Sequence, residues 1–116
     1  MNDKVWMPAQ DLSSEKALLG GVLLDRDNAA FDDVAGVVSA EHFYSVANQK
    51  IWTAMSGLLR QGINVDAIIL GTDLQNRGWL EEIGGALYLA EILDTVPHSA
   101  HSLHYAKTVR AKADER

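Results

Sequence analysis

Val46-Ala47-Asn48-Gln49-Lys50-Ile51-Trp52-Thr53-Ala54-Met55-Ser56-Gly57-Leu58-Leu59-Arg60-Gln61-Gly62 decides the fold class of this chain. Ile51, Met55, Leu58 and Leu59 return at three- and four-residue intervals, which places them on one face of a helix, and Gly62 supplies the stop. The same period recurs on both sides of this stretch. Upstream, Asp11 offers a cap and Glu15 an acidic first turn to a helix carrying Leu18, Leu19, Val22 and Leu23, closing near Asp25. Gly20 and Gly21 lie inside that helix at a cost of up to about 1 kcal/mol each relative to alanine, which is explained if another helix crosses closely there.

Asn28 can cap a second helix with Phe31, Val34 and Val38 on one face, and Ser39 opens a short turn through His42, Phe43 and Tyr44. Downstream, Asp66 caps a helix bearing Leu70 and Leu74 and ended by Gly78, with Ile68 and Ile69 expected to widen its buried face. Trp79 to Ile83 reads as one turn, and Gly84-Gly85 punctuate it ahead of a helix containing Leu87, Leu89, Ile92 and Leu93. Pro97 ends that helix. Ser99 can cap a last one with Leu103, Ala106, Val109 and Arg110 at helical spacing. No alternating strand pattern, internal repeat or low-complexity linker interrupts the series, so the expected fold is all-α, a small orthogonal globule of about six helices.

Composition narrows the function. The 116 residues, 47% hydrophobic and 22% charged, suit one globular domain. The absence of cysteine removes disulfides, thiolate metal sites and cysteine nucleophiles. A net charge of −6 opposes strong binding to a nucleic-acid backbone by this domain. Apolar runs such as 17–24 are too short for a membrane span, and the first residues lack a secretory signal, which together suit a cytoplasmic protein.

Chemistry is sparse. Lys107-Thr108 has the last letters of a P-loop without its glycines, so ATP hydrolysis by this chain is not expected. His98, His101 and His104 share a helical side at spacings of three, but a metal site at that spacing recruits further ligands, and solvated surface histidines are the better reading. Gly84-Gly85 beside Glu81 and Glu82 reads as a tight turn and not an anion cradle. No Gly-x-Ser-x-Gly turn anchors a serine nucleophile. The expected catalytic, cofactor and metal sites are therefore none.

Leu19-Gly20-Gly21-Val22-Leu23-Leu24-Asp25, Phe43-Tyr44, Gly62 with Val65-Asp66, Leu74 with Gly78, Leu80-Glu81-Glu82-Ile83-Gly84-Gly85, Tyr88-Leu89, Pro97, Tyr105-Ala106 and Val109-Arg110 follow one another in a single register. In that order they resemble the N-terminal domain of bacterial and phage DnaB-type replicative DNA helicases, from about Pro8 to Arg116. Departures mark a divergent member: Asn48 stands where the family usually has histidine, Ile69 where it usually has threonine, and Gly71 lies inside a helix.

The resemblance implies a non-catalytic collar domain serving DNA replication in a parent 5′–3′ helicase, whose ATP, Mg and DNA chemistry belong to a motor domain absent from this sequence. It implies self-association as dimers and a trimer of dimers, with primase and possibly a loader as further partners. It also implies a division into a tail at 1–10, a globule at 11–85 and a protruding hairpin at 86–116, running toward a linker. A partner interface is expected along the hairpin at Leu89, Ile92, Leu93, Leu103, Ala106, Val109 and Arg110. The alternative from another class is a free-standing helical adaptor or inhibitor that binds a helicase.

Overall fold

The computed structural model describes residues 11–96 and 101–116. Among them are six α-helices and no strand: α1 (Leu12–Leu24), α2 (Phe31–Ala35), α3 (Val46–Arg60), α4 (Ala67–Asn76), α5 (Gly85–Thr95) and α6 (Ser102–Glu115). Short 3₁₀ turns at Arg26–Asn28 and Ala40–His42 join the first three. The tail at 1–10 and the residues Pro97, His98 and Ser99, with the cap expected of Ser99, lie outside the described residues.

α1 is the axis of the globule. Asp11 caps it by accepting the Ser14 backbone N–H at 3.0 Å and the Ser14 hydroxyl at 2.8 Å. From Ala17 to Leu23 every residue is buried, because α3, α5 and α6 all lie against this one helix. Gly20 explains how they fit. A Cβ built there would stand 2.3 Å from Val96 Cγ2 and 2.7 Å from the Ile92 carbonyl oxygen, so only hydrogen allows α5 to cross so closely. The in-helix glycine is thus a crossing point.

α3 is capped by Ser45, whose hydroxyl accepts the Asn48 N–H at 3.2 Å, and ends where Gly62 adopts φ +84°. That left-handed turn lets the Ile63 N–H reach back to the Leu58 carbonyl at 3.1 Å. α4 begins at Asp66, which accepts the Ile69 N–H at 2.8 Å, and ends at left-handed Gly78, beyond which Trp79 N–H donates to the Leu74 carbonyl at 2.8 Å. Phe31, Phe43 and Trp52 fill the layer between α2 and α3, with ring centroids 5.5 and 5.7 Å apart.

Two local expectations are corrected. α2 is short, ends at Ala35, and has no side-chain cap, while Asn28 serves elsewhere. Its buried amide donates to the carbonyls of Val22 at 2.9 Å and Val65 at 3.0 Å and accepts the Val65 N–H at 2.8 Å. Asn28 thereby ties the end of α1 to the loop before α4, satisfying backbone groups that no helix can reach. Asp25 fixes the chain just ahead of α2, its carboxylate accepting the Ala30 N–H at 2.7 Å.

α5 and α6, which cover the segments read as a hairpin, both lie along α1 and touch each other little. Leu89, Ile92, Ala106 and Val109 belong to the common core. The expected division at residue 85 therefore corresponds to no break in packing, because α1 needs both helices to cover its apolar circumference.

Candidate interaction surface

Of the seven residues expected to form a partner seam, four are corrected: Leu89, Ile92, Ala106 and Val109 are buried against α1 and the core. Helical spacing identified their apolar face rightly; it could not tell which neighbour covers it. Arg110 is exposed but engaged within the chain, donating from Nη1 to the Val37 carbonyl at 3.0 Å and from Nε to Asp114 at 3.1 Å. Leu103 stays 37% exposed on α6, and Leu93 is half-buried on α5.

Leu93 opens onto an apolar concavity. Between α4 and α5 runs a groove of about 560 Å³, floored by Gly71 and Leu89 and walled by Ala67, Ile68, Leu80, Ala86, Ala90 and Leu93. Thr72 and Gln75 are its polar lining, and no charged side chain among the described residues lines it. Small residues make it: alanine and glycine at the facing positions leave the two helices in contact without filling the space above them. On its wall Ile68 is 80% exposed, and Leu87, on the same helix as Ala86 and Ala90, is 84% exposed. Of these, Ile68 was expected, with Ile69, to widen a buried face, and both isoleucines are exposed. The helices turn Ile68 and Leu87 away from the core, and two large aliphatic side chains in water are the surface a partner would cover, each worth roughly 1.5–3 kcal/mol if fully buried.

The opposite face of α5 carries a polar network instead. Glu15 of α1 is buried and accepts the backbone N–H groups of Tyr44 at 2.7 Å and Ser45 at 3.3 Å, just ahead of α3, together with the Asn48 amide at 2.8 Å. The Asn48 oxygen in turn accepts the Tyr88 hydroxyl at 2.5 Å. A carboxylate with these donors is satisfied without a cation. Asn48, the departure noted in the sequence, is therefore the link between α1, α3 and α5. Burial pushes the Tyr88 hydroxyl above its usual value of 10.0, and Lys16 of α1, bound to Glu91, is held above its usual value mainly by that hydrogen bond.

His101 and His104 are exposed and flank Tyr105, with ring centroids 6.5 and 5.8 Å away; His98 lies outside the described residues. No three histidine, aspartate or glutamate side chains come together as a metal-binding group among the described residues. Gly84 and Gly85 both adopt left-handed φ, of +107° and +74°, as a tight turn into α5 requires. Among the described residues no helix is long and apolar enough to cross a membrane.

Residues 7–111 match the family model of the DnaB-like helicase N-terminal domain. The chain is 40% identical over 106 residues to the replicative DNA helicase DnaB of Mycobacterium leprae, covering 91% of this chain and 17% of that protein. It is 37% identical over 110 residues to the DnaB of Haemophilus influenzae, covering 95% of this chain and 23% of the relative. It therefore spans about a fifth of the length of these curated relatives. The crystal structure of the N-terminal domain of DnaB helicase from Mycobacterium tuberculosis superimposes with a TM-score of 0.89 at 39% identity, over 95% of this chain and 77% of that one.

Proposed function

The chain belongs to the family of DnaB-like helicase N-terminal domains, and from that premise we propose that it is the non-catalytic collar of a replicative DNA helicase. In this reading it brings copies of the parent protein together, as pairs within a hexamer, and offers a docking surface to primase or a loader. ATP-dependent unwinding belongs to a motor domain elsewhere in the parent; this sequence contains no P-loop to supply it.

The observation that carries the reading is the apolar groove between α4 and α5, with Ile68 exposed on its wall and Leu87 of α5 also standing in water. A second copy of the domain is the occupant proposed, because pairing would cover two large aliphatic side chains on each copy together with the apolar groove. Leu93 joins this surface from the groove wall, while Leu103 on α6 offers a separate exposed leucine.

Light scattering coupled to size exclusion tests the assignment. The chain is expected to pair at high concentration, and the double variant Ile68→Asp with Leu87→Asp to elute as a folded monomer with unchanged helical circular dichroism. A wild-type chain that stays monomeric, or a double variant that still pairs, overturns the groove as the pairing surface. Monomers produced by Leu103→Asp alone, with the double variant still paired, move the interface to α6.

A further inference from the structure

Away from the residues that line the groove, two arginines of this acidic chain border one notch. Arg60 near the end of α3 and Arg77 just after α4 share a notch of about 370 Å³, lined along α3 by Trp52, Thr53, Ser56 and Gly57 and closed by Ser39 and Ala40. Arg77 is fixed on three sides. Its Nε donates to Asp73 at 2.7 Å, its Cζ stands 5.2 Å from the Trp79 ring centroid, and its Nη2 lies over Gly57, where a Cβ would approach to 3.2 Å. Arg60 rests 5.8 Å from the centroid of Phe31 and has no carboxylate within ion-pair distance among the described residues.

The charge balance is local and positive. Asp73 neutralises one edge of one guanidinium, and the Glu41 carboxylate accepts the Ser39 hydroxyl at 3.4 Å. The hydroxyls of Thr53 and Ser56 donate into α3, to the Gln49 carbonyl at 2.9 Å and the Thr53 carbonyl at 3.3 Å. Recognition at the notch therefore rests on the guanidinium N–H groups, whose fork geometry matches a carboxylate.

We propose that this notch binds a carboxylate side chain on an acidic segment of a partner protein, the Arg60 and Arg77 guanidiniums taking its oxygens and Trp52 and Ala40 its apolar stem. The space fits one or two side chains. A nucleic-acid strand would have to run its phosphates over the rest of a surface whose net charge is −6, whereas an acidic side chain meets only the local positive balance. The inference is independent of the collar reading, since it concerns a different face from the groove.

The test is a two-dimensional amide NMR titration of the 116-residue chain with acetylated, amidated hexaglutamate at low salt. Saturable shifts are expected at residues 53–60, at Arg77 and at the indole N–H groups of Trp52 and Trp79. Affinity is expected to fall about tenfold in Arg60→Ala, the loss of one charge-assisted hydrogen-bonding group. Arg77→Lys, which keeps the charge but loses the fork, is expected to weaken binding less than Arg77→Ala. Absence of saturation, shifts centred elsewhere, or equal affinity in Arg60→Ala overturns the proposal. Tighter binding of an oligothymidylate at these same residues overturns it in favour of nucleic acid.

Discussion

α5 has two apolar neighbours and treats them in opposite ways. Toward α1 it is sealed: Ile92 is fully buried and the helices meet at Gly20 with no room for a methyl group. Toward α4 it is open, with Gly71 and Leu89 at the bottom of a trough and Ile68 and Leu87 in water. Both sides present large apolar side chains. What differs is whether a third element completes the packing, and this is why one side supplies stability and the other is left open to solvent.

Glycine substitutions sharpen that contrast most directly. Gly20→Val places side-chain atoms where Val96 and the Ile92 backbone already stand, and is expected to destabilise the fold by about 3 kcal/mol, measured as a lower urea midpoint. A variant of wild-type stability would show that α1 and α5 can separate at their crossing.

An intermediate effect is expected at Tyr88, on the sealed side. Tyr88→Phe leaves the fully buried Asn48 oxygen without the donor it has now, at a cost of about 2 kcal/mol. The tyrosine also sets a pH dependence. Its folded pKa is raised above 10.0, so its contribution is complete below that pH and is lost as pH rises through the raised value, where the unfolded chain sheds the proton first. Lys16, also raised, acts in the same direction. Urea unfolding on either side of pH 10.0 should show a steeper alkaline loss in the wild type than in Tyr88→Phe; parallel losses would assign the alkaline slope to other groups.

The smallest effect belongs to the open side. A Cβ at Gly71 meets only Leu89 Cδ1 at an ordinary 3.7 Å, so Gly71→Ala should gain about 0.5–1 kcal/mol from helix propensity. Thermal melting reads the difference. Destabilisation there would mean that the groove is as tightly packed as the crossing at Gly20.

Much of the fold was legible because helix signals are local. The caps at Asp11 and Asp66, the stops at Gly62 and Gly78, the turn at Gly84-Gly85 and the close crossing implied by Gly20 each follow from backbone geometry within a few residues. Asn28 and Glu15 were read as local features and proved to be long-range ones. Asn28 bonds a loop 37 positions away, and Glu15 bonds the start of α3. Nothing in the spacing of a lone polar residue announces a partner that only folding brings near. The same holds for the interaction surface. Periodicity marked Leu89, Ile92, Ala106 and Val109 as apolar, yet these are buried in the common core, while Ile68 and Leu87 are among the large side chains left outside.

Order of residues alone was enough to set helix against strand, the places where each helix starts and stops, and membership in a family, since all of these depend on neighbours in the chain. Which apolar faces are closed and which stay available to another molecule was decided only when six helices competed for one another's surfaces. Burial is a property of that competition, because water is excluded by whole elements in contact and not by the hydropathy of any single side chain.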